Sequence, residues 1–432
     1  MSRELFGTDG VRGLAGKYPL DDEGAVSIGR AVGALFAEAE QRIIIAGDPR
    51  ESSIDLVESL TKGLIEQGVN VTNVGVIPTP GLAYLTREGD EFVAGVMVTA
   101  SHNPYEYNGV KVFDANGDKL SDETEAKLNG LIEDGTPDRG QGEASQDDQL
   151  IKTYEDFLVN SAEGLNLNGM ALAIDSANGA ASGIAERVFS HLGAQVTALS
   201  DSPDGRNIND KCGATNTAAL EETVKVNKLS IGIALDGDAD RLMLVDEQGR
   251  QVNGDYILYI LAVARKLNGV VATVMSNLGF EQSLAKQDIE LDRVNVGDRY
   301  VLEGLASSGF KLGGEQSGHI ILPELLATGD GMLAAVQIVR VLAASGKSLA
   351  DWRDEVTMLP QALVNIALPD KARLDQPEVK SFVEGQTTQL AGNGRILIRP
   401  SGTEPLARVM VEAPDAQALA TKIADRLEEL VA

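Results

Sequence analysis

One cysteine, Cys212, stands among 432 residues, which excludes an internal disulfide and any zinc site built on several thiolates. Its plain reading is a small, partly buried side chain. Histidine is nearly as scarce, with only His102, His191 and His319. Aromatics make up 4% of a chain that is 43% hydrophobic, so the core must come mainly from Ala, Val, Ile and Leu. No run of 18 or more apolar residues occurs, and no membrane span is expected. The start Met1-Ser2-Arg3-Glu4 lacks the charged-then-apolar pattern of a secretory signal, so a cytoplasmic location is expected. Positive charge is also short: 37 Lys and Arg face 65 Asp and Glu, a net charge of −28. That balance argues against a nucleic-acid partner. It also repels phosphorylated metabolites at long range, so an anionic substrate would need local arginine, lysine, metal or glycine-rich loops.

What is present is a long alternation of short apolar strands and amphipathic helices. It predicts an α/β protein with largely parallel sheets and about three domains by length. The strand Ile43–Ala46 precedes a helix from about Ser53 to Gln67, with Leu56, Leu60 and Leu64 on one face and Gly68 as its stop. The polar, aperiodic stretch Gly135–Gln149 reads as a surface excursion and domain boundary. Further strands are expected at Ala171–Ile174, Ile231–Leu235, Val270–Met275 and Phe310–Leu312. The last segment differs, with strands near Val364–Leu368, Arg395–Ile398 and Val409–Val411, then a helix lined by Leu419, Ile423 and Leu427.

Four loops carry candidate chemistry, and ligands in open α/β sheets gather outside the carboxyl ends of strands. Thr99-Ala100-Ser101-His102-Asn103-Pro104 follows the apolar strand Ala94–Val98. Ser101 reads as a nucleophile or as an ordinary turn residue. A Ser–His hydrolase pairing with His102 is disfavoured, because adjacent residues usually point apart and no Gly-x-Ser-x-Gly elbow exists. Asp236-Gly237-Asp238-Ala239-Asp240-Arg241 places three carboxylates at alternate positions, a pattern for a hard divalent cation. An EF-hand does not fit, since Arg241 stands where glycine is needed and Leu242–Val245 looks like strand. Mg²⁺ is therefore preferred to Ca²⁺, with a solvated acidic turn as the alternative. Gly313–His319 offers Glu315 and Ser317 for sugar hydroxyls and His319 for proton transfer, or else a plain glycine-rich turn. Arg399–Pro405 presents Ser401, Gly402 and Thr403 between Arg399 and Arg408, which suits a phosphate dianion. Lesser features are the loop Phe6–Gly13 presenting Arg12, and Asn108-Gly109, read as a turn leading into a short strand with Lys111. Gly47–Arg50 and Gly297–Arg299 read as internal ion pairs.

Together these residues resemble the α-D-phosphohexomutase superfamily over the length of the chain and in the expected loop order. The resemblance implies three related α/β domains plus a smaller α+β C-terminal domain around a central cleft, with segments expected at 1–150, 151–253, 254–358 and 359–432. It implies that Ser101 is the phosphorylated residue and that Asp236, Asp238 and Asp240 bind Mg²⁺, with Ser101 completing the set. His102, Lys111, Arg12, Arg241 and His319 would surround the transfer. Glu315 and Ser317 would recognise the sugar, while Arg399, Ser401, Gly402, Thr403 and Arg408 grip the non-reacting phosphate. Phe6–Gly13, Val296–Val301, Arg408–Glu412 and Gln316 are most similar to the bacterial phosphoglucosamine mutase branch. The expected substrate is a hexosamine phosphate, with a glucosamine or glucose 1,6-bisphosphate as intermediate or activator. A homodimer is compatible with the resemblance. The alternatives are a phosphomannomutase/phosphoglucomutase and a non-catalytic sugar-phosphate sensor.

Overall fold

The computed structural model describes residues 5–7, 10–36, 42–400 and 405–431. Ile43, Ile44, Ile45 and Ala46 are all fully buried, as expected of a strand covered on both faces of a parallel sheet. They belong to a first sheet built from β1 (Val11–Leu14), β2 (Arg42–Gly47), β3 (Asn70–Val76), β4 (Phe92–Val98), β5 (Tyr107–Asp114) and β6 (Ala144–Gln146). The order is β1-β5-β4-β2-β3-β6, parallel from β4 to β6 and antiparallel at β5 and β1. Helix Ser53–Ile65 buries Leu56, Leu60 and Leu64 against this sheet. It packs so tightly on helix Asp22–Phe36 that a Cβ on Gly63 would sit 2.7 Å from the amide of Arg30.

A second sheet has β7 (Ala171–Asp175), β8 (Gln195–Leu199), β9 (Ile231–Leu235), β10 (Leu242–Asp246) and β11 (Gln251–Val252), ordered β11-β10-β9-β7-β8. A third has β12 (Gly269–Thr273), β13 (Glu290–Val294), β14 (Gly313–Gly314) and β15 (Ile320–Ile321), ordered β13-β12-β14-β15. Each of the three sheets has a hairpin of consecutive antiparallel strands at a candidate loop, β4 to β5, β9 to β10 and β14 to β15, and the second sheet has a further one, β10 to β11. The loops of the first three hairpins are Thr99–Glu106, Asp236–Arg241 and Glu315–His319. The same local device thus presents three of the four sequence-selected loops.

Among the described residues, those up to 274 together with 292–353 form one compact unit, and those at 275–291 and from 354 onwards form another. The second unit is α+β. Its strands β16 (Gln361–Ala367), β17 (Arg395–Pro400) and β18 (Leu406–Glu412) are antiparallel in the order β16-β18-β17. Its closing helix Ala416–Val431 buries Ile423 and Leu427 completely, with Leu419 packed at the margin. No helix among the described residues is long and apolar enough to cross a membrane.

Four local expectations need correction. Asn108-Gly109 is not a turn but lies inside β5. The Asn108 side chain is buried against the hydroxyls of Ser52 and Ser53, and a Cβ on Gly109 would sit 2.5 Å from the carbonyl of Val11. Arg12 lies on strand β1 opposite Gly109, not in a loop. Polar Gly135–Gln149 still supplies β6, because Glu143 O and the Asp147 amide continue the backbone ladder of β3 without needing apolar side chains. The strand expected at Phe310–Leu312 falls instead on Gly313-Gly314. Phe310 covers Gly269, where a Cβ would collide with the ring.

Candidate active site

Ser101 sits where β4 gives way to its hairpin loop, with φ of 51° in the left-handed region. Such a conformation costs a non-glycine residue about 1–3 kcal/mol and persists only where surroundings enforce it. They do so here. The Ser101 amide donates to Thr99 Oγ1 at 2.9 Å, while its carbonyl accepts from Arg50 Nη2 at 2.8 Å and Asn209 Nδ2 at 2.9 Å. Arg50 is 1% exposed and also donates to the carbonyls of Asn103, Pro104 and Tyr107. Its charge is balanced by Asp48 at 2.8 Å, which in turn accepts from Thr99 Oγ1 and Ser53 Oγ. The sequence suggested an ion pair at Asp48 and Arg50. Only the fold reveals that it clamps the Ser101 loop.

The left-handed turn also brings His102 Nδ1 to 3.3 Å from Ser101 Oγ, contrary to the expectation that the two side chains point apart. Burial, then the charges of Arg241 and Arg12, lowers the His102 pKa to about 4, so the ring is neutral near pH 7. The stronger contact of Ser101 is with the acidic loop: its Oγ donates to Asp236 Oδ2 at 2.7 Å.

Asp236, Asp238 and Asp240 are all buried, and each offers an oxygen within 4.8 Å of the others. Three like charges this close are costly in a low-dielectric interior. Accordingly, burial and then the charges of Asp240 and Asp238 push Asp236 well above the ordinary carboxylate range. Burial opposes the charge of Asp238 too, but Lys111 and Thr79 outweigh it and hold its pKa below normal. Lys111 Nζ lies 2.8 Å from Asp238 Oδ2 and 3.4 Å from Asp240 Oδ2. Oδ1 of Asp238 and Oδ1 of Asp240 make no hydrogen bond although both are buried. Clustered, unsatisfied carboxylate oxygens are what a hard divalent cation requires, so the donor set fits Mg²⁺. Arg241 follows directly. Burial works against its charge, but Asp240 and Asp236 hold its pKa above the ordinary value.

The third loop joins the second through its backbone, with Leu242 N donating to Gly318 O at 2.9 Å and a bridge between Arg241 and His319. His319 is buried, its Nδ1 3.8 Å from Asp240 Oδ2 and its Nε2 3.8 Å from Asp298 Oδ2. Glu315 accepts from the Gly297 amide at 3.1 Å, and Ser317 Oγ lies 3.4 Å from its other oxygen. Gln316 turns away to donate to buried Asp255 at 3.1 Å. Asp298 pairs with Lys119, and Arg299 with Glu303 and Asp122, in keeping with the ion-pair reading of that stretch.

In the second unit, Arg399 on β17 and Arg408 on β18 face each other in register. Burial and then the charge of Arg408 lower the Arg399 pKa. Two facing guanidiniums form a local positive site of the kind an anion relieves. Ser401, Gly402 and Thr403 lie outside the described residues. Sequence reasoning missed Thr79 and Asn209 altogether, and for Arg50 it gave the ion pair with Asp48 but not the clamp on Ser101. None stands in a recognisable motif with the residue it supports, which lies 159, 108 or 51 positions away.

Four family models match in chain order: phosphoglucomutase/phosphomannomutase α/β/α domains I, II and III at residues 3–139, 152–249 and 253–358, and the C-terminal domain at 363–430. Phosphoglucosamine mutase of Thermus thermophilus is 44% identical over 99% of this chain and 98% of its own length. That of Alcanivorax borkumensis is 42% identical over the full length of both. Among solved structures, a phosphoglucomutase/phosphomannomutase family protein from Burkholderia thailandensis superposes with a TM-score of 0.83 at 25% identity, covering 99% and 96% of the two chains. Aspergillus fumigatus N-acetylphosphoglucosamine mutase, solved with GlcNAc-6P and magnesium, shares the fold with a TM-score of 0.70 at 20% identity, covering 99% and 96%. A serine on one hairpin loop held against the acidic triad of another, four family models in chain order, and full-length identity above 40% lead to one conclusion: the chain belongs to the phosphoglucomutase/phosphomannomutase family.

Proposed function

We propose that this protein is a phosphoglucosamine mutase, an isomerase that interconverts glucosamine 6-phosphate and glucosamine 1-phosphate through a phosphorylated Ser101. The observation that carries the mechanism is the 2.7 Å contact between Ser101 Oγ and the buried triad, with Lys111 on the same carboxylates. The choice of sugar is supported by the full-length relatives, which are phosphoglucosamine mutases.

In the forward half-reaction the phosphoryl group leaves Ser101 Oγ as its P–O bond breaks, and a new bond forms to the anomeric hydroxyl of glucosamine 6-phosphate. The hydroxyl proton passes to a nearby base, for which His319 is the candidate because Lys111 is held as an ammonium by Asp238 and Asp240, and a proton returns to Ser101 Oγ. The bound 1,6-bisphosphate then turns around. The O6–P bond then breaks as the phosphoryl group bonds to Ser101 Oγ, the serine proton is taken up by the same base and returned to O6, and glucosamine 1-phosphate leaves. Transfer of this kind depends on positioning and charge neutralisation more than on covalent chemistry. Asp236, Asp238 and Asp240 would hold Mg²⁺ beside Ser101, where it would supply positive charge to the phosphoryl oxygens. Lys111 and Arg241 add fixed positive charge. The Arg50 clamp keeps Ser101 from drifting, so its oxygen serves as phosphate carrier in both directions. Glu315 and Ser317 would bind sugar hydroxyls, and Arg399 with Arg408 the phosphate that is not being transferred.

The test is kcat/KM on glucosamine, glucose and mannose 6-phosphates with the same enzyme preparation. Glucosamine 6-phosphate is expected to be preferred by at least tenfold, about 1.4 kcal/mol in the transition state. Equal or better use of glucose or mannose phosphates would overturn the sugar assignment.

A further inference from the structure

Asp238 is fully buried, and its two oxygens have different surroundings. Oδ2 accepts from Lys111 Nζ at 2.8 Å and from Thr79 Oγ1 at 2.6 Å. Oδ1 has no hydrogen-bond partner. The terminal torsion of an aspartate is broad and close to two-fold, so the residue itself does not decide which oxygen faces the triad. Cross-chain donors must decide it. Thr79 is the first residue of helix Thr79–Glu88, is 2% exposed, and is fixed in turn because its amide donates to the Asp238 carbonyl at 3.0 Å. Side chain and main chain of one threonine therefore bracket one aspartate, from a segment 159 residues away.

We propose that Thr79 is a positioning residue of the metal centre, holding Oδ2 of Asp238 so that Oδ1 is left for the cation. The proposal rests on the metal-site reading above. Lys111 alone would not give the same orientation, since its Nζ is shared with Asp240 Oδ2 at 3.4 Å and sits on a flexible stem. The Thr79 hydroxyl, on a stiff β-branched side chain at a helix start, has no such freedom. Outer-sphere hydrogen bonds of this type orient ligating groups, and their loss commonly costs about 10–100-fold in metal affinity.

The probe is Mn²⁺, an oxygen-seeking stand-in for Mg²⁺, titrated into the full-length protein with free Mn²⁺ read by electron paramagnetic resonance. Thr79→Val keeps the shape and removes the donor, Thr79→Ser keeps the donor, and Thr79→Ala serves if the valine variant does not fold. Circular dichroism and melting temperature confirm the fold of each. Thr79→Val or Thr79→Ala is expected to raise the Mn²⁺ Kd about tenfold or more, with Thr79→Ser within about threefold of the parent protein. A Kd within twofold of the parent in both hydroxyl-free variants would overturn the positioning role and leave the metal centre standing. No Mn²⁺ binding by the parent protein would instead overturn the metal centre itself.

Discussion

Asp330 offers a measurable consequence of burying a carboxylate beside the active site. It is 1% exposed, caps helix Gly331–Ser345 by accepting from the Leu333 amide at 2.9 Å, and accepts from the Tyr154 hydroxyl at 2.8 Å. The next residue, Gly331, donates its amide to the carbonyl of Ala239 in the acidic loop at 3.0 Å. Burial raises the Asp330 pKa from 3.8 to about 6, and the hydrogen bonds to it only partly oppose the rise. Well below the ordinary value of 3.8 the carboxyl is protonated in folded and unfolded chains alike, and ionisation carries no penalty. As pH rises from about 4 to about 6, the unfolded chain gives up the proton first, so stability falls and the loss is complete near pH 7. The rise of roughly two pKa units corresponds to about 3 kcal/mol. Asp330→Asn keeps an oxygen for Leu333 and removes the ionisation. The stability of the variant relative to the parent should therefore climb by about 2–3 kcal/mol between pH 4 and pH 7. Urea unfolding of both proteins at several pH values measures this, using the transition of the unit that contains residue 330. A difference that stays flat with pH, or that moves against the variant, would refute the argument.

Ser101→Ala should lose nearly all mutase turnover, and a radiolabelled 1,6-bisphosphate sugar should transfer no phosphoryl group to it; retained activity or label would remove Ser101 as carrier. In the second unit, Leu427→Ala takes a fully buried side chain from the helix–sheet core. A loss of about 2–5 kcal/mol is expected there by calorimetry or denaturant unfolding. A change below ~1 kcal/mol would mean this core is not packed as described.

Much of the molecule follows from local chain chemistry. The apolar strands were legible because strands covered on both faces read as unbroken hydrophobic runs, and the closing helix because Leu419, Ile423 and Leu427 repeat at four-residue spacing. The acidic loop was legible because its three carboxylates stand at alternate positions within five residues, so no long-range folding is needed to bring them together. Where the polar pattern carries no period, as at Gly135–Gln149, the sequence reads as a surface excursion and gives no sign of a strand. Strand β6 is fixed there by backbone pairing that any side chains would permit. Asn108-Gly109 misled for a related reason: the pair favours turns locally, but tertiary contacts with Ser52, Ser53 and Val11 outweigh that preference.

The sequence by itself determined the α/β class, the order of the four loops and the residue types that do chemistry in each. Only the tertiary structure decided how those groups are held. It aims Ser101 Oγ at Asp236, clamps the serine loop with Arg50 and Asn209, and sets the Thr79 hydroxyl on Oδ2 of Asp238. The physical reason is that a residue's identity fixes its hydrogen-bonding capacity, whereas partner choice depends on which distant segment packs within about 3 Å of it.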